Sequence, residues 1–332
     1  MMRLMAIIII VFFHSFQMMY GSSHFPNSYM IYENLYYTFN QCIIIHIGMP
    51  TFVFISGFLF MYSHLNKHQS FKELLQAKIK RLILPYFVFA FLLTVGTPGF
   101  SWEGLLSGGY THLWFLPMLF WCFICAYLLV HYLKFEKYAP IYTLFFLCLL
   151  LLPETMNIQS LKHLRLFGLQ GVYNWFGWFS FGMIVFQYSQ EIYAFLSKNK
   201  IIIILLAFIY ITCISLFPPI PYGKTLSWYT ITETVCMILI IWFFFKNISW
   251  QKLKFYKYLA NVSKCSFGIY IFHMPIVIYS VSSTSQRIFG LTYLADNYQY
   301  VFPFLYASGA FILSFIVSYL ISKTNIGKYL LG

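Results

Sequence analysis

Arg3 and His14 lie eleven residues apart in the stretch Arg-Leu-Met-Ala-Ile-Ile-Ile-Ile-Val-Phe-Phe-His, which is otherwise apolar. An α-helix turns about 100° and rises about 1.5 Å per residue, so eleven steps complete three turns plus roughly 20° over about 16 Å. The two side chains therefore share one stripe. A guanidinium and an imidazole on one stripe of a membrane-length helix are costly in lipid, so they face a protein interior or a wet cavity and mark function. With an ordinary pKa of about 6.5, a neutral imidazole suits removal of a hydroxyl proton near neutral pH. The forked guanidinium grips phosphate.

The other polar residues inside apolar runs are few: Gln41, His46, Asn174, Glu233 and His273. His273 sits about 10 Å into its run, and His46 reads as a structural group bonded to a neighbouring helix. Glu233 is the one carboxylate inside such a run, placed to orient an imidazole or to pair with a polar neighbour while protonated. Lys78, Lys80 and Arg81 stand directly ahead of Leu82-Ile83-Leu84-Pro85-Tyr86. They have two readings: anchors that snorkel to lipid phosphates, or, with Arg3 at the same depth, a site for a soluble phosphorylated donor. A cytosolic anion at one end and a base at the other suit transfer of a group carried by a nucleotide-like molecule.

Several chemistries find no support. A Gly-x-Ser-x-Gly elbow, HExxH and a Gly-rich phosphate loop are all missing, which disfavours a covalent serine enzyme and a zinc hydrolase. Eight acidic residues in the chain argue against a glycosidase or a carboxylate-held metal. Cys122 and Cys125 form a CxxC, but inside an apolar run and without a second ligand pair, so they read as small buried hydrophobes. No metal is expected.

These residues must be positioned by helices in a membrane. The 332 residues are 61% hydrophobic and 9% charged, with a mean hydropathy of +0.74, where a soluble domain carries about a quarter charged residues. Apolar runs long enough to cross about 30 Å of hydrocarbon recur at roughly 3–20, 39–63, 82–96, 112–133, 139–153, 164–187, 201–217, 227–245, 266–283 and 303–322. Backbone satisfaction in lipid then requires helices. Of the 21 cations, all but Lys162, Arg165, Lys224 and Arg287 fall on alternate connecting segments. The positive-inside rule therefore predicts an all-α protein of about ten transmembrane helices with both termini cytoplasmic. The net charge of +13 reports topology rather than a nucleic-acid partner. Residues 1–332 read as a single membrane domain, with lysine-rich inner segments at 64–81 and 246–265. The latter resembles an amphipathic surface helix carrying Trp250, Leu253, Tyr256 and Leu259 on one side. The outer segments 21–38, 97–111, 154–163, 218–226 and 284–302 are too short for a separate catalytic domain.

Five segments in order resemble the acyltransferase family 3 of membrane-bound O-acyltransferases. They are the Arg3 to His14 pair, Pro50-Thr-Phe-Val-Phe-Ile-Ser-Gly-Phe-Leu59, Lys78-Ile-Lys-Arg-Leu-Ile-Leu-Pro-Tyr86, His112-Leu-Trp-Phe-Leu-Pro117 and Gly268-Ile-Tyr-Ile-Phe-His-Met-Pro275. The resemblance implies transfer of an acyl group, commonly acetyl, from cytosolic acyl-CoA to a hydroxyl of a cell-surface glycan, in a bacterial cell membrane. By that resemblance His14 is the catalytic histidine, Arg3 positions the donor, and Arg81 with Lys78 and Lys80 holds its phosphates. His273 is a further catalytic candidate, and His112, Trp114 and Glu233 are candidates for binding the acceptor. Where many relatives carry a second arginine before span three, this chain has Lys78. A glycan exporter or flippase is the alternative, since ten helices with intramembrane polar groups also describe transporters.

Overall fold

The computed structural model describes residues 1–20, 40, 45–67, 69–95, 101–109, 111–151, 167–217, 226–280 and 290–331, and every regular element among them is helical. Gln41, Lys162, Arg165, Lys224 and Arg287 lie outside the described residues, as do the outer segments 21–38 and 154–163 entirely and 97–111, 218–226 and 284–302 in part. Among the described residues, four helices are long and apolar enough to cross a membrane: His46–Lys67, His112–Tyr132, Trp228–Asn247 and Phe302–Lys323. Ser189–Lys198 and Lys200–Leu216 meet the same test together but are bent by 95°. Among the described residues the ten runs predicted from hydropathy thus have four or five counterparts by length and composition, and several of the others fold as shorter helices. Leu84–Thr94 has 11 residues, Phe135–Leu149 has 15 and Lys200–Leu216 has 17. Ile201, Ile204, Leu205, Phe208 and Ile211 form an exposed apolar surface on the last of these, which water would penalise and lipid tails accept.

Two predicted inner segments differ from expectation. Residues 64–81 are largely helical: the second helix runs to Lys67, and Phe71–Lys78 passes through a π-helical turn at Ile79–Ile83 into Leu84–Thr94. Hydropathy missed this because Lys72, Lys78, Lys80 and Arg81 dilute an otherwise helical pattern. A capping box starts it. The Ser70 backbone N–H donates to Glu73 Oε2 at 2.9 Å, and the Glu73 N–H donates back to Ser70 Oγ at 3.4 Å. These bonds hold the Glu73 carboxyl below the usual carboxylate range. Because the folded value is depressed, the stabilisation is present above the ordinary pKa of about 4.3 and is lost as pH falls through the lowered value. Protection of the Glu73 and Leu74 amides against hydrogen exchange is expected to drop over that acid window, and Glu73→Gln should remove the dependence. In 246–265, Lys246 and Asn247 end the Trp228–Asn247 helix, and Tyr256–Lys264 is a separate α-helix. Trp250–Lys252 is a 3₁₀ turn, which leaves Trp250 and Leu253 outside the expected helix.

The described chain divides into two compact units, residues 1–49, 214–222 and 244–332 in one, and 50–213 and 223–243 in the other. In the first, the helices Met2–Tyr20, Ser266–Ser280 and Phe302–Lys323 pack pairwise. Phe304 lies 6.5 Å from Phe12 and 5.4 Å from Phe16 between ring centroids. The Tyr306 hydroxyl donates to the Val277 carbonyl at 2.8 Å, and Ser318 Oγ donates to the Cys265 carbonyl at 3.2 Å. Gly268 permits that approach, since a Cβ there would sit 2.8 Å from Ser318 Cβ. Gly268→Ala is therefore expected to lower the thermal midpoint in detergent, and Ser318→Gly in the same chain to recover part of the loss.

In the second unit, Phe135–Leu149 and Phe115–Tyr132 both pack on Gln170–Gln187. Gly57 and Gly182 face each other's helices reciprocally. A Cβ on Gly57 would lie 2.8 Å from the Phe179 carbonyl carbon, and one on Gly182 would lie 2.8 Å from the Phe58 nitrogen. Small residues at such a crossing let two backbones touch, the usual device where no hydrophobic force drives helices together.

Candidate functional site

The first helix begins at Met2 and continues to Tyr20 without Gly or Pro. Its Arg3 stripe continues through Ile7 and Ile10 to His14 at steps of four, three and four, the positions that share a helical face. Ile7 and Ile10 are buried, His14 is half-buried, and Arg3 is exposed. The stripe therefore runs from an exposed cation into the packed interior of its unit.

At its inner end His14 meets His273. The ring centroids are 5.2 Å apart with planes inclined by 26°, a stacked arrangement. Phe13 closes on His14 from another side, edge-on at 5.1 Å. His273 is fully buried, and its Nδ1 lies 2.6 Å from the Tyr270 carbonyl, three residues back on its own helix. A carbonyl only accepts, so Nδ1 carries the proton in that bond and the neutral ring keeps its lone pair on Nε2. The tautomer follows from this partner. The spacing Tyr270 to His273 could have suggested the bond; the contact with His14, across more than 250 residues of chain, could not.

The remaining candidates belong to the other unit. Lys78 is half-buried, its ammonium 3.4 Å from the Phe123 ring centroid, a cation–π contact that holds the stem against the Phe115–Tyr132 helix. Lys80 and Arg81 are exposed within the π turn, a distortion that recurs at functional sites. His112 is buried in the 3₁₀ turn Thr111–Trp114. Trp114 packs on Trp175 at 5.6 Å. Glu233 is buried on Trp228–Asn247, near Cys213 of the Lys200–Leu216 helix. Of the catalytic candidates, then, His14 and His273 are in contact and Arg3 stands three turns along the same helix. Among the described residues, no three His, Cys, Asp or Glu side chains gather as a metal would require.

A family model described as an acyltransferase domain matches residues 1–323, from the first helix through Phe302–Lys323. The chain belongs to the acyltransferase 3 family. The family resemblance is thereby borne out, and membership implies transfer of an acyl group from a donor to an acceptor. Together with its apolar helices, membership makes this acyltransferase a multi-pass membrane protein. No curated protein and no solved structure matches it.

Proposed function

We propose that this acyltransferase moves an acyl group, acetyl foremost, from cytosolic acyl-CoA to a hydroxyl of an extracytoplasmic glycan in the bacterial cell membrane, with His14 as the base. The observation that supports this reading is the stacked arrangement of His14 and His273. A buried imidazole fixed through its own helix backbone limits the rotation of the imidazole stacked on it, and a base that is already oriented loses less on reaching the transition state. The acceptor O–H gives its proton to a His14 ring nitrogen as the oxygen attacks the thioester carbonyl carbon. The tetrahedral intermediate collapses, the C–S bond breaks, and the proton passes from His14 to the departing sulfur. An ester and a free thiol result, with no oxidant or metal in the balance. His273 acts as a positioning residue in this scheme. Arg3, Lys78, Lys80 and Arg81 are assigned to the donor's phosphates, and His112, Trp114 and Glu233 to the acceptor.

Purified protein in liposomes, given acetyl-CoA labelled in the acetyl group, is expected to transfer label to an added surface polysaccharide. Label that stays with CoA while the glycan crosses the bilayer would overturn the reading in favour of export. Arg3→Lys should raise KM for acyl-CoA about tenfold, the scale of one charge-assisted hydrogen bond, because an ammonium cannot make the bidentate contact. An unchanged KM would make Arg3 an interfacial anchor.

A further inference from the structure

The segment joining the Trp228–Asn247 and Ser266–Ser280 helices carries a surface outside the proposed chemistry. Between Lys246 and Lys264 the sequence holds Lys246, Lys252, Lys254, Lys257 and Lys264, with neither Asp nor Glu. Other short polar helices mix signs: Phe71–Lys78 contains Glu73 and Ser189–Lys198 contains Glu191. Trp250 fixes the start of the segment, donating its indole N–H to the Phe245 carbonyl at 2.9 Å and packing at a tilt on the Phe245 ring, with centroids 4.9 Å apart.

Within Tyr256–Lys264 the side chains of Tyr256, Leu259, Ala260 and Ser263 are half-buried, while Lys257, Tyr258, Asn261 and Lys264 are exposed. Lys257 and Lys264, seven residues apart, share a stripe. Beside them Phe255 is 69% exposed and Tyr258 72%. Exposed aromatic rings among lysines, without a carboxylate, are ill suited to water. They suit the headgroup zone of a bilayer, where rings settle between phosphates and acyl chains and ammonium groups meet lipid phosphate. A soluble anion would need cations converging on one point. Here they are spread along thirteen residues, from Lys252 to Lys264, at the end of a membrane-length helix, which fits a charged plane.

We propose that residues 250–264 dock on anionic phospholipid headgroups and select them over zwitterionic ones. The test uses the full chain in mixed micelles of phosphatidylglycerol and phosphatidylcholine, with lipid retention read by native mass spectrometry. Wild-type protein is expected to retain phosphatidylglycerol preferentially. A juxtamembrane lysine contributes about fivefold in lipid affinity, so Lys252→Gln, Lys257→Gln and Lys264→Gln together should cost roughly a hundredfold. The corresponding triple Lys→Arg variant should retain the preference, which separates charge from folding. Phe255→Ser with Tyr258→Ser should weaken retention of both lipids while keeping the selectivity. Equal retention of the two lipids by wild type would overturn the proposal, as would unchanged selectivity in the glutamine variant. Displacement of the bound phosphatidylglycerol by free coenzyme A would also overturn it, assigning the lysines to a soluble polyanion.

Discussion

His14→Ala is expected to lower acyl transfer by about a hundred- to ten-thousand-fold, the range that one positioned general base supplies, with the protein still inserted and monodisperse in detergent. The half-buried position of His14 makes truncation tolerable for the fold, because the helix stays anchored through Ile7, Ile10, Val11 and Phe16, all buried. Two further measurements separate base catalysis from mere packing. Added imidazole should restore part of the activity of His14→Ala, since a small base can enter the vacated space. His273→Gln, which keeps a polar group but removes the ring stacked on His14, should lower kcat and leave KM for acyl-CoA near its wild-type value. Full activity in His14→Ala would remove His14 from the chemistry. Activity lost only in proportion to folded protein would reduce the stacked pair to a packing contact.

Local pattern exposed much of this arrangement. The first helix and the stripe that Arg3 shares with His14 follow from hydropathy and a period of about 3.6 residues, both properties of neighbouring residues. The helix Phe302–Lys323 and the long apolar helix ending at Tyr132 were equally legible. What was not legible depends on distant parts of the chain. His14 and His273 each stood out as polar groups in apolar surroundings, but their contact arises from the packing of Met2–Tyr20 against Ser266–Ser280, which no spacing encodes. The same holds for the contact of the Lys78 ammonium with the Phe123 ring, which joins residues 45 positions apart and has no signal in the lysine-rich segment itself. The 95° bend before Lys200 was missed because the lysines on either side of Asn199 marked only an inner connection. Gly57 fell inside a matched segment with no role, since a glycine reports a close approach only when the opposing backbone is known.

That approach carries the largest expected effect on stability. Gly57→Val should abolish the folded state, seen as loss of the monodisperse peak in detergent and of a cooperative thermal transition. A Cβ at this position would overlap the Phe179 carbonyl oxygen and lie 3.1 Å from Phe179 Cα. Backbone in a helix cannot rotate aside as a side chain does, so the helices Ile45–Lys67 and Gln170–Gln187 would have to separate. Separation opens the ring contacts that flank the crossing: Phe54 to Phe181 at 5.4 Å, Phe58 to Phe186 at 5.0 Å and Phe60 to Phe179 at 6.0 Å. Overpacking alone costs about 1–3 kcal/mol, and loss of these aromatic pairs adds about 0.5–1.5 kcal/mol each, a sum on the order of the whole stability of a marginal fold. Gly182→Ala should act in the same direction from the opposite helix. Once one substitution has parted the helices the second meets less resistance, so Gly57→Ala with Gly182→Ala should cost less than the two separate losses combined. Gly309 supplies the control, since a Cβ there would meet nothing within 4 Å. Gly309→Ala is expected to be neutral or to stabilise by up to about 1 kcal/mol through helix propensity. If Gly57→Val melts no earlier than Gly309→Ala, the two helices do not depend on close backbone contact.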